Sequence, residues 1–548
     1  MKKIISMALL AAMVLSCFAG CAMQKGEIDV NAYAEEANVQ DVSGETSAPG
    51  ILDALRTNVE KAKTNSFAAT EVDVWVEGTA LDDSWTSDNT IKTAAQFMDF
   101  HAKLSGGEKF AGVTITFAKN INLSGAKFEG TATEFRGNFD GGNCVIYNFD
   151  LTLDAQFSHG FLGNFGGSTV QNFALVDVEC DVINGTKSKQ SVGALFGYIN
   201  TKATAGGDNN LKNLYTDATF NFQEGMTFDK VGGLVGRITN ENVRIFTNCE
   251  FAGSMVLNGN GGQSFGGIVA YRGKKGALNF TNCLNSGTIG DSKAVWVGGI
   301  LGSQTDSSTG TLSFVNCANT GNITGNNAVG GMIGHIEASS SLTMTDCLNS
   351  GTIIANGKNG GGMVGESNVT TSITGCTNTG SVIGASNVSF TAGQIQGTAT
   401  IENCTNSGTV LSMAGYQTSA VVEGKYDLRF VAVFDAPKAQ AAGFVVTINY
   451  KDAQGKQVKV ENATVYANTV YTSVKGTNAE EVEEIYQATD LGGTYLYTLV
   501  IENIDAAYTD ANGSLEILVT PFVAENAETV VNGSQVKYGG IVIEEPAA

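Results

Sequence analysis

Apolar residues, small polar residues and glycine corners recur in one order through the middle of the chain. Cys249, Cys283, Cys317, Cys347, Cys376 and Cys404 are separated by 34, 34, 30, 29 and 28 residues. An apolar residue stands three places before each of them: Phe246, Phe280, Phe314, Met344, Ile373 and Ile401. A glycine stands four places after each, and Asn-Ser/Thr-Gly follows the last five, as in Asn285-Ser286-Gly287. Between cysteines lies a second landmark, Gly-Gly followed by aliphatic residues: Gly232-Gly233, Gly266-Gly267, Gly298-Gly299, Gly330-Gly331 and Gly361-Gly362, with looser copies at Gly193 and Gly393. Short apolar stretches bounded by glycine and asparagine read as strand, turn, strand.

A unit of about 30 residues made of short strands cannot bury its apolar side alone, whereas stacking the next unit on it builds a continuous core. The expected architecture over 66–412 is therefore a parallel β-helix, with coils about 4.7–4.9 Å apart. Equivalent residues then lie above one another, so the six cysteines predict one interior column and the aliphatics others. Each fully buried large apolar side chain contributes roughly 1.5–3 kcal/mol, more than any surface ion pair. Glycines serve the corners, where backbones approach closely. Asparagines beside the cysteines predict a structural amide ladder. Asp346 stands where most copies carry Asn, which reads as a turn residue.

Other segments flank this array. Leu52, Leu55, Val59 and Ala62 follow helical spacing within a 22–65 spacer, predicting a short amphipathic helix lying on the body or serving a partner. Thr93 and Gln96 form a capping-box pair, and Ala94, Phe97, His101 and Leu104 mark one face of a helix covering the first coil. Val113, Ile115 and Phe117 alternate as the first strand, and Trp75 and Trp85 are assigned to core or cap packing. Beyond 412 the repeat stops. Longer alternating strands at Leu428 to Phe434, Gly443 to Tyr450, Thr469 to Val474, Tyr495 to Ile501 and Leu515 to Thr520 predict a β-sandwich over 413–548. The class is all-β.

The Val-Gly-Gly-Ile/Leu/Met-Ile/Val-Gly and Asn-Cys-x-Asn-Ser/Thr-Gly pieces resemble the GLUG-motif repeats of bacterial surface proteins. Ile91-Lys92-Thr93-Ala94-Ala95-Gln96-Phe97 and Phe135-Arg136-Gly137-Asn138-Phe139-Asp140-Gly141-Gly142 resemble the opening that precedes such repeats. The resemblance covers about 88–412 and implies a parallel β-helix as in adhesins, from a repeat that also accompanies some surface proteases and has no catalytic residues of its own to carry over. The segment after 412 is similar to the immunoglobulin-like modules of gut-type bacterial surface proteins.

Charge and motifs narrow the function. Lys and Arg number 32 against 54 Asp and Glu, a net charge of −22. This excludes phosphate backbones and anionic membrane surfaces as partners, and leaves neutral glycans, basic proteins and cations. Lys2 and Lys3 precede an apolar run from Ile4 to Phe18, the pattern of a signal peptide over 1–21. Phe18-Ala19-Gly20-Cys21 resembles the lipobox of bacterial lipoproteins, which implies a lipid on Cys21 and a body outside the cytoplasmic membrane. Cys17 is a weaker alternative.

Candidate chemistry is sparse. His101, His159 and His335 are the only histidines, without a His-Glu-x-x-His arrangement. No Cys-x-x-Cys occurs, so no metal ligand set is assigned, and the ladder cysteines are expected as buried thiols acting as small apolar residues. Asp229, Glu250, Asp291, Asp306, Glu337, Glu366 and Glu402 share no repeat position, and Phe139-Asp140-Gly141-Gly142 reads as a turn rather than a calcium loop. No catalytic or cofactor-binding residue is assigned. The sequence points to a lipid-anchored surface binding protein presenting a rigid rod to glycan or protein. The alternatives are a β-helix polysaccharide lyase or glycosidase and a ligand-free envelope spacer.

Overall fold

The computed structural model describes residues 49–548 apart from 186–190, 200–208, 240–242, 258–259, 274–275, 306–309, 338–340, 409, 413–416, 419–420, 435–440, 452–456, 467–470, 473–476, 479–488, 491–494, 506–514, 525–529, 533–535 and 540–548. Cys21 and Cys17 lie outside the described residues. The described chain forms two compact units, the first running to Val382 and over Asn387–Val410, the second made of Ile383–Ser386 and the chain from Leu411.

The first unit is a parallel β-helix. One face is nine parallel strands in sequence order, from Glu134–Phe135 to Ala392–Ile395. The remaining strands pair in parallel with the equivalent strand one coil away, in the register the repeat predicts. Phe246, Phe280, Phe314, Met344, Ile373 and Ile401 form one continuous column. The Phe246, Phe280 and Phe314 rings stack at 5.2 and 5.0 Å. Cys249, Cys283, Cys317, Cys347 and Cys376 are buried beside them, and Cys404, in the last coil, is half-buried. Their thiols donate to backbone carbonyls, as Cys283 Sγ does to Phe246 O at 3.5 Å and Cys347 Sγ to Thr345 O at 3.5 Å. Burial and neighbouring thiols push Cys283 and Cys317 well above the usual thiol range, so they serve as apolar filler.

The asparagines form two ladders. Asn285, Asn319, Asn349 and Asn378 are fully buried. Each donates from Nδ2 to the next Oδ1 at 2.7 Å, ending on Asn406. Each also caps the carbonyl of the glycine two places on, as Asn319 does Gly321 O at 2.9 Å. Both amide hydrogens are thereby used inside an apolar core, where an unpaired polar group is costly. On the outer side, Asn213, Asn248 and Asn282 donate to Asn172, Asn213 and Asn248 at 2.8, 2.9 and 3.1 Å. These residues precede the column positions in left-handed conformation, and Asp346 shares it at φ 52°, which makes Asp346 the turn residue expected. Asp140 is also a turn residue: its Oδ1 accepts from Gly142 N at 3.0 Å.

Glycine is required at the Gly-Gly corner by close approach. A Cβ on Gly299 would lie 2.2 Å from Gly331 O of the next coil and 2.8 Å from Asn319 Oδ1. The looser copy at Gly393 is corrected by register. Gly361 faces Ser389, and Val364 faces Ala392, so Ser389 and Phe390 occupy the double-glycine place and Gly393 matches Gly365. Among the described residues no further coil stacks on Ser389 and Phe390, so side chains fit there.

Two helices attach to this array. Helix α1, Pro49–Lys63, lies on the outer face. Its Leu55, Val59 and Ala62 are buried over Val145, Tyr147, Ala174, Val176 and Tyr215, so this end of the expected spacer packs on the body; the Leu52 side chain lies outside the described residues. Helix α2, Ala94–Ser105, caps the first coil. Thr93 Oγ1 accepts from Gln96 N at 3.2 Å, the first half of the expected capping pair, whereas Gln96 Oε1 accepts at 2.8 Å from the N–H of Lys92, one residue before the cap, rather than from Thr93 N. Trp85 is buried against Phe100 and Phe110, with its indole N–H donating to Asp99 at 3.0 Å. Trp75 packs partly buried on the same core. Val72–Val74 and Thr90–Ile91 precede Thr114–Phe117, which is therefore the third strand rather than the first.

The second unit is a sandwich of two mainly antiparallel sheets. Lys425–Phe434 pairs with Tyr495–Asp505 in one, and Ala441–Lys451 with Leu515–Ala524 in the other. Gln457–Tyr466 also pairs with Ala441–Lys451, a strand missed in the sequence because its alternating positions mix valine with Lys, Asn and Thr. Of the expected strand from Thr469 to Val474, only Tyr471–Thr472 lies within the described residues.

Candidate functional site

Two concave sites form where a helix meets the coils, and each gathers residues that are far apart in sequence. The first is an open groove beside α2, lined among others by His101, His159, Glu129, Thr131, Thr133 and Lys127. Two of the three histidines meet here, although 58 residues separate them in the chain. His101 is held by the helix, its ring against Phe128 and Phe161 at 4.8 and 5.1 Å. Its Nε2 lies 3.1 Å from Phe161 O. A carbonyl only accepts, so Nε2 carries the proton and Nδ1 the lone pair. Burial pulls the His101 pKa down to about 4 and fixes the ring as neutral.

His159 sits opposite. Its Nδ1 accepts from Asp154 N at 3.3 Å, which leaves the proton on Nε2. Burial lowers its pKa, opposed by the Asp154 carboxylate. Phe157, half exposed at 50%, lies flat on the His159 ring at 5.4 Å, and Leu81 at the groove is 51% exposed. The groove thus combines neutral imidazoles, hydroxyls and a carboxylate with an apolar rim, a surface suited to uncharged polar ligands.

The second site is a narrow cleft between α1 and the coils, lined by Leu55, Arg56 and Val59 of the helix and by Tyr215, Glu250, Asn282 and Leu284 of the coils. Tyr215 and Glu250 are register partners on adjacent coils. Tyr215 is 7% exposed and its hydroxyl has no hydrogen-bond partner among the described residues. Burial, then Glu250 and Asp217, push the Tyr215 pKa up, so the phenol stays neutral. Burial also raises Glu250, opposed by Ser286, which donates to its Oε1 at 2.8 Å, and by Arg56 and Lys63. Asp217 is raised by burial and by Asp177. Glu250 looked isolated in sequence because it shares no repeat position with the other acids; Asp217, which the sequence did not single out, acts on it beside the helix.

Elsewhere on the coils, other aromatic and polar side chains pair. Trp296 stacks on His335 at 5.0 Å, and Asn359 donates to Glu366 at 2.7 Å and to Gln394 at 2.9 Å. His335 Nδ1 stands 3.9 Å from Glu366, and burial lowers the His335 pKa. Lys230 lies over the Tyr271 ring at 4.9 Å and pairs with Asp229. Asp291 is buried and accepts from Lys293 N and Ala294 N, both at 2.9 Å, as a turn residue. Asp306 lies outside the described residues. Among the described residues no group of three or more His, Cys, Asp or Glu is placed to hold a metal ion.

No family model matches this chain, and no curated protein matches it. A crystal structure from Bacteroides ovatus, described as that of a putative immunoglobulin A1 protease, is similar at 19% identity and a TM-score of 0.38, covering 57% of this chain and 83% of that one.

Proposed function

We propose that this chain is a bacterial surface binding protein, tethered by a lipid on Cys21 after removal of the signal peptide. The β-helix is its stiff shaft, and the groove beside α2 receives a neutral glycan or a polar segment of another protein. The observation that carries the reading is the half-exposed Phe157 ring lying flat on His159 beside that groove. Aromatic faces of this kind stack on the apolar faces of sugars and on side chains, while neighbouring hydroxyl and imidazole groups set orientation. The resemblance to GLUG-motif surface repeats and the acidic charge, which favours solubility outside the cell, support the same reading. A glycan array probed with the full chain is expected to give binders that Phe157→Ala weakens at least about tenfold, the equivalent of 1.4 kcal/mol. Arrays of glycans and host proteins that remain blank would leave the spacer reading in its place.

A second reading, a carbohydrate-active enzyme, is favoured by the convergence of Glu250 and Asp217, both raised by burial, beside Tyr215. Incubation with polysaccharides tests it. New reducing ends or unsaturated products that vanish in Glu250→Gln would establish it, and their absence across pectic and host polysaccharides would remove it.

A further inference from the structure

The cleft under α1 has a chemistry that the binding reading does not use. Its walls are aliphatic: Leu55 and Val59 on the helix, Leu284 and Ala318 on the coils. Beside the Arg56 guanidinium of the helix, its polar groups include acceptors that lack a donor. The Tyr215 hydroxyl is buried and has no hydrogen-bond partner among the described residues, and Asn282 Oδ1 is in the same condition. The reason for the second is visible in the outer ladder: Asn282 donates to Asn248 at 3.1 Å, but no residue of the following coil donates back to it. Glu250 completes the set, one coil from Tyr215.

Charge around the cleft has one sign in excess. Glu250, Asp217, Asp177 and Glu60 act on this region against Arg56 and Lys63. Lys63 is already engaged with the Tyr215 ring at 5.3 Å. A buried phenol oxygen, an amide oxygen and a carboxylate, each able to accept, match a group that carries several N–H donors and a positive charge. Aliphatic walls match a methylene stem, and a narrow cleft excludes a bulky ring.

We propose that this cleft binds a primary alkylammonium group. The ammonium donates to Tyr215 Oη, Asn282 Oδ1 and Glu250, and its methylenes lie between Leu55, Val59, Leu284 and Ala318. Such a group comes from a free amine or from a lysine side chain of another protein, and the two share this chemistry. Binding also has a linked proton: an ammonium beside Glu250 favours the carboxylate, so affinity falls as pH drops through the raised Glu250 range. The charged groups that face Glu250 in this linkage are Arg56 and Lys63 of the helix and Asp217 of the neighbouring coil.

The test is titration of the full chain with n-butylammonium, followed by calorimetry or ligand-observed NMR, with n-butanol as the uncharged control. Saturable binding of the amine but not the alcohol is expected, weakened at least about tenfold by Glu250→Gln, several-fold by Tyr215→Phe, and unchanged by Glu224→Gln on the exposed surface. A short acetylated peptide carrying one lysine, competing for the same site, assigns the protein source; competition by spermidine alone assigns the free amine. Equal binding by wild type, Glu250→Gln and Tyr215→Phe, or binding of n-butanol as strongly as the amine, overturns the proposal. The pH dependence in the unmutated chain decides independently of how the variants fold: affinity that is flat or rises as pH falls from 7 to 4 also overturns it.

Discussion

Replacing Asn319 by alanine removes three hydrogen bonds from one place in the core. Asn319 Oδ1 loses its acceptance from Asn285 at 2.7 Å, and Nδ2 loses its donations to Asn349 at 2.7 Å and Gly321 O at 2.9 Å. Asn319 is fully buried, so water does not replace these partners. Asn349 Oδ1 and Gly321 O are left as buried acceptors short of a donor, each costing about 1–3 kcal/mol. Asn285 keeps its donation to Gly287 O at 3.0 Å and forfeits only one hydrogen. The expected destabilisation of Asn319→Ala is therefore about 3–5 kcal/mol. Asn406→Ala is the internal control: this asparagine accepts from Asn378 at 2.7 Å and donates to Gly408 O at 3.1 Å, but it is exposed at the last coil, where water replaces its partners, so its loss costs less than about 1 kcal/mol. A repeat array need not unfold in one step, so the assay is native-state hydrogen exchange read peptide by peptide across 278–360, alongside urea denaturation. Equal effects of the two substitutions, or less than about 1 kcal/mol for Asn319→Ala, would refute the claim that the amide ladder holds the coils in register.

Further outcomes follow from single contacts. Gly299→Ala places a methyl 2.2 Å from Gly331 O, so the coils must separate locally, at a cost of at least about 2 kcal/mol in the same denaturation assay. Phe390→Gly, at the equivalent corner of the last coil, is expected to leave the coils beneath it unchanged. His101 has its folded pKa lowered to about 4 from 6.5, so the unfolded chain takes up the proton first and stability is lost as pH falls from 6.5 to 4. The full loss is about 3 kcal/mol below pH 4, and His101→Gln should flatten that part of the stability profile against pH.

How far the sequence carried depends on what each feature needs. The interior columns were legible because one residue type recurs at one place in every coil, and a parallel stack turns recurrence into contact. The Thr93 and Gln96 cap was legible because its partners lie within one turn of helix. The cysteine column proved longer than its cysteines: Leu214, Phe173 and Cys144 continue it toward the first coil, hidden because the residue type changes while the place does not. Gly393 was misplaced because the last coil has lost its double glycine, and register rather than composition locates it. Neither concave site could be read in advance. His101 meets His159, and Tyr215 and Glu250 meet Arg56, only through the docking of helices on outer columns that follow no repeat pattern.

Thiol labelling of the full native chain tests the stacked-column account most directly. Counting modified cysteines by mass spectrometry over time, the account predicts that half-buried Cys404 reacts first, while Cys249, Cys283, Cys317, Cys347 and Cys376 stay protected until global unfolding. Modification of all six at similar rates under native conditions would contradict it.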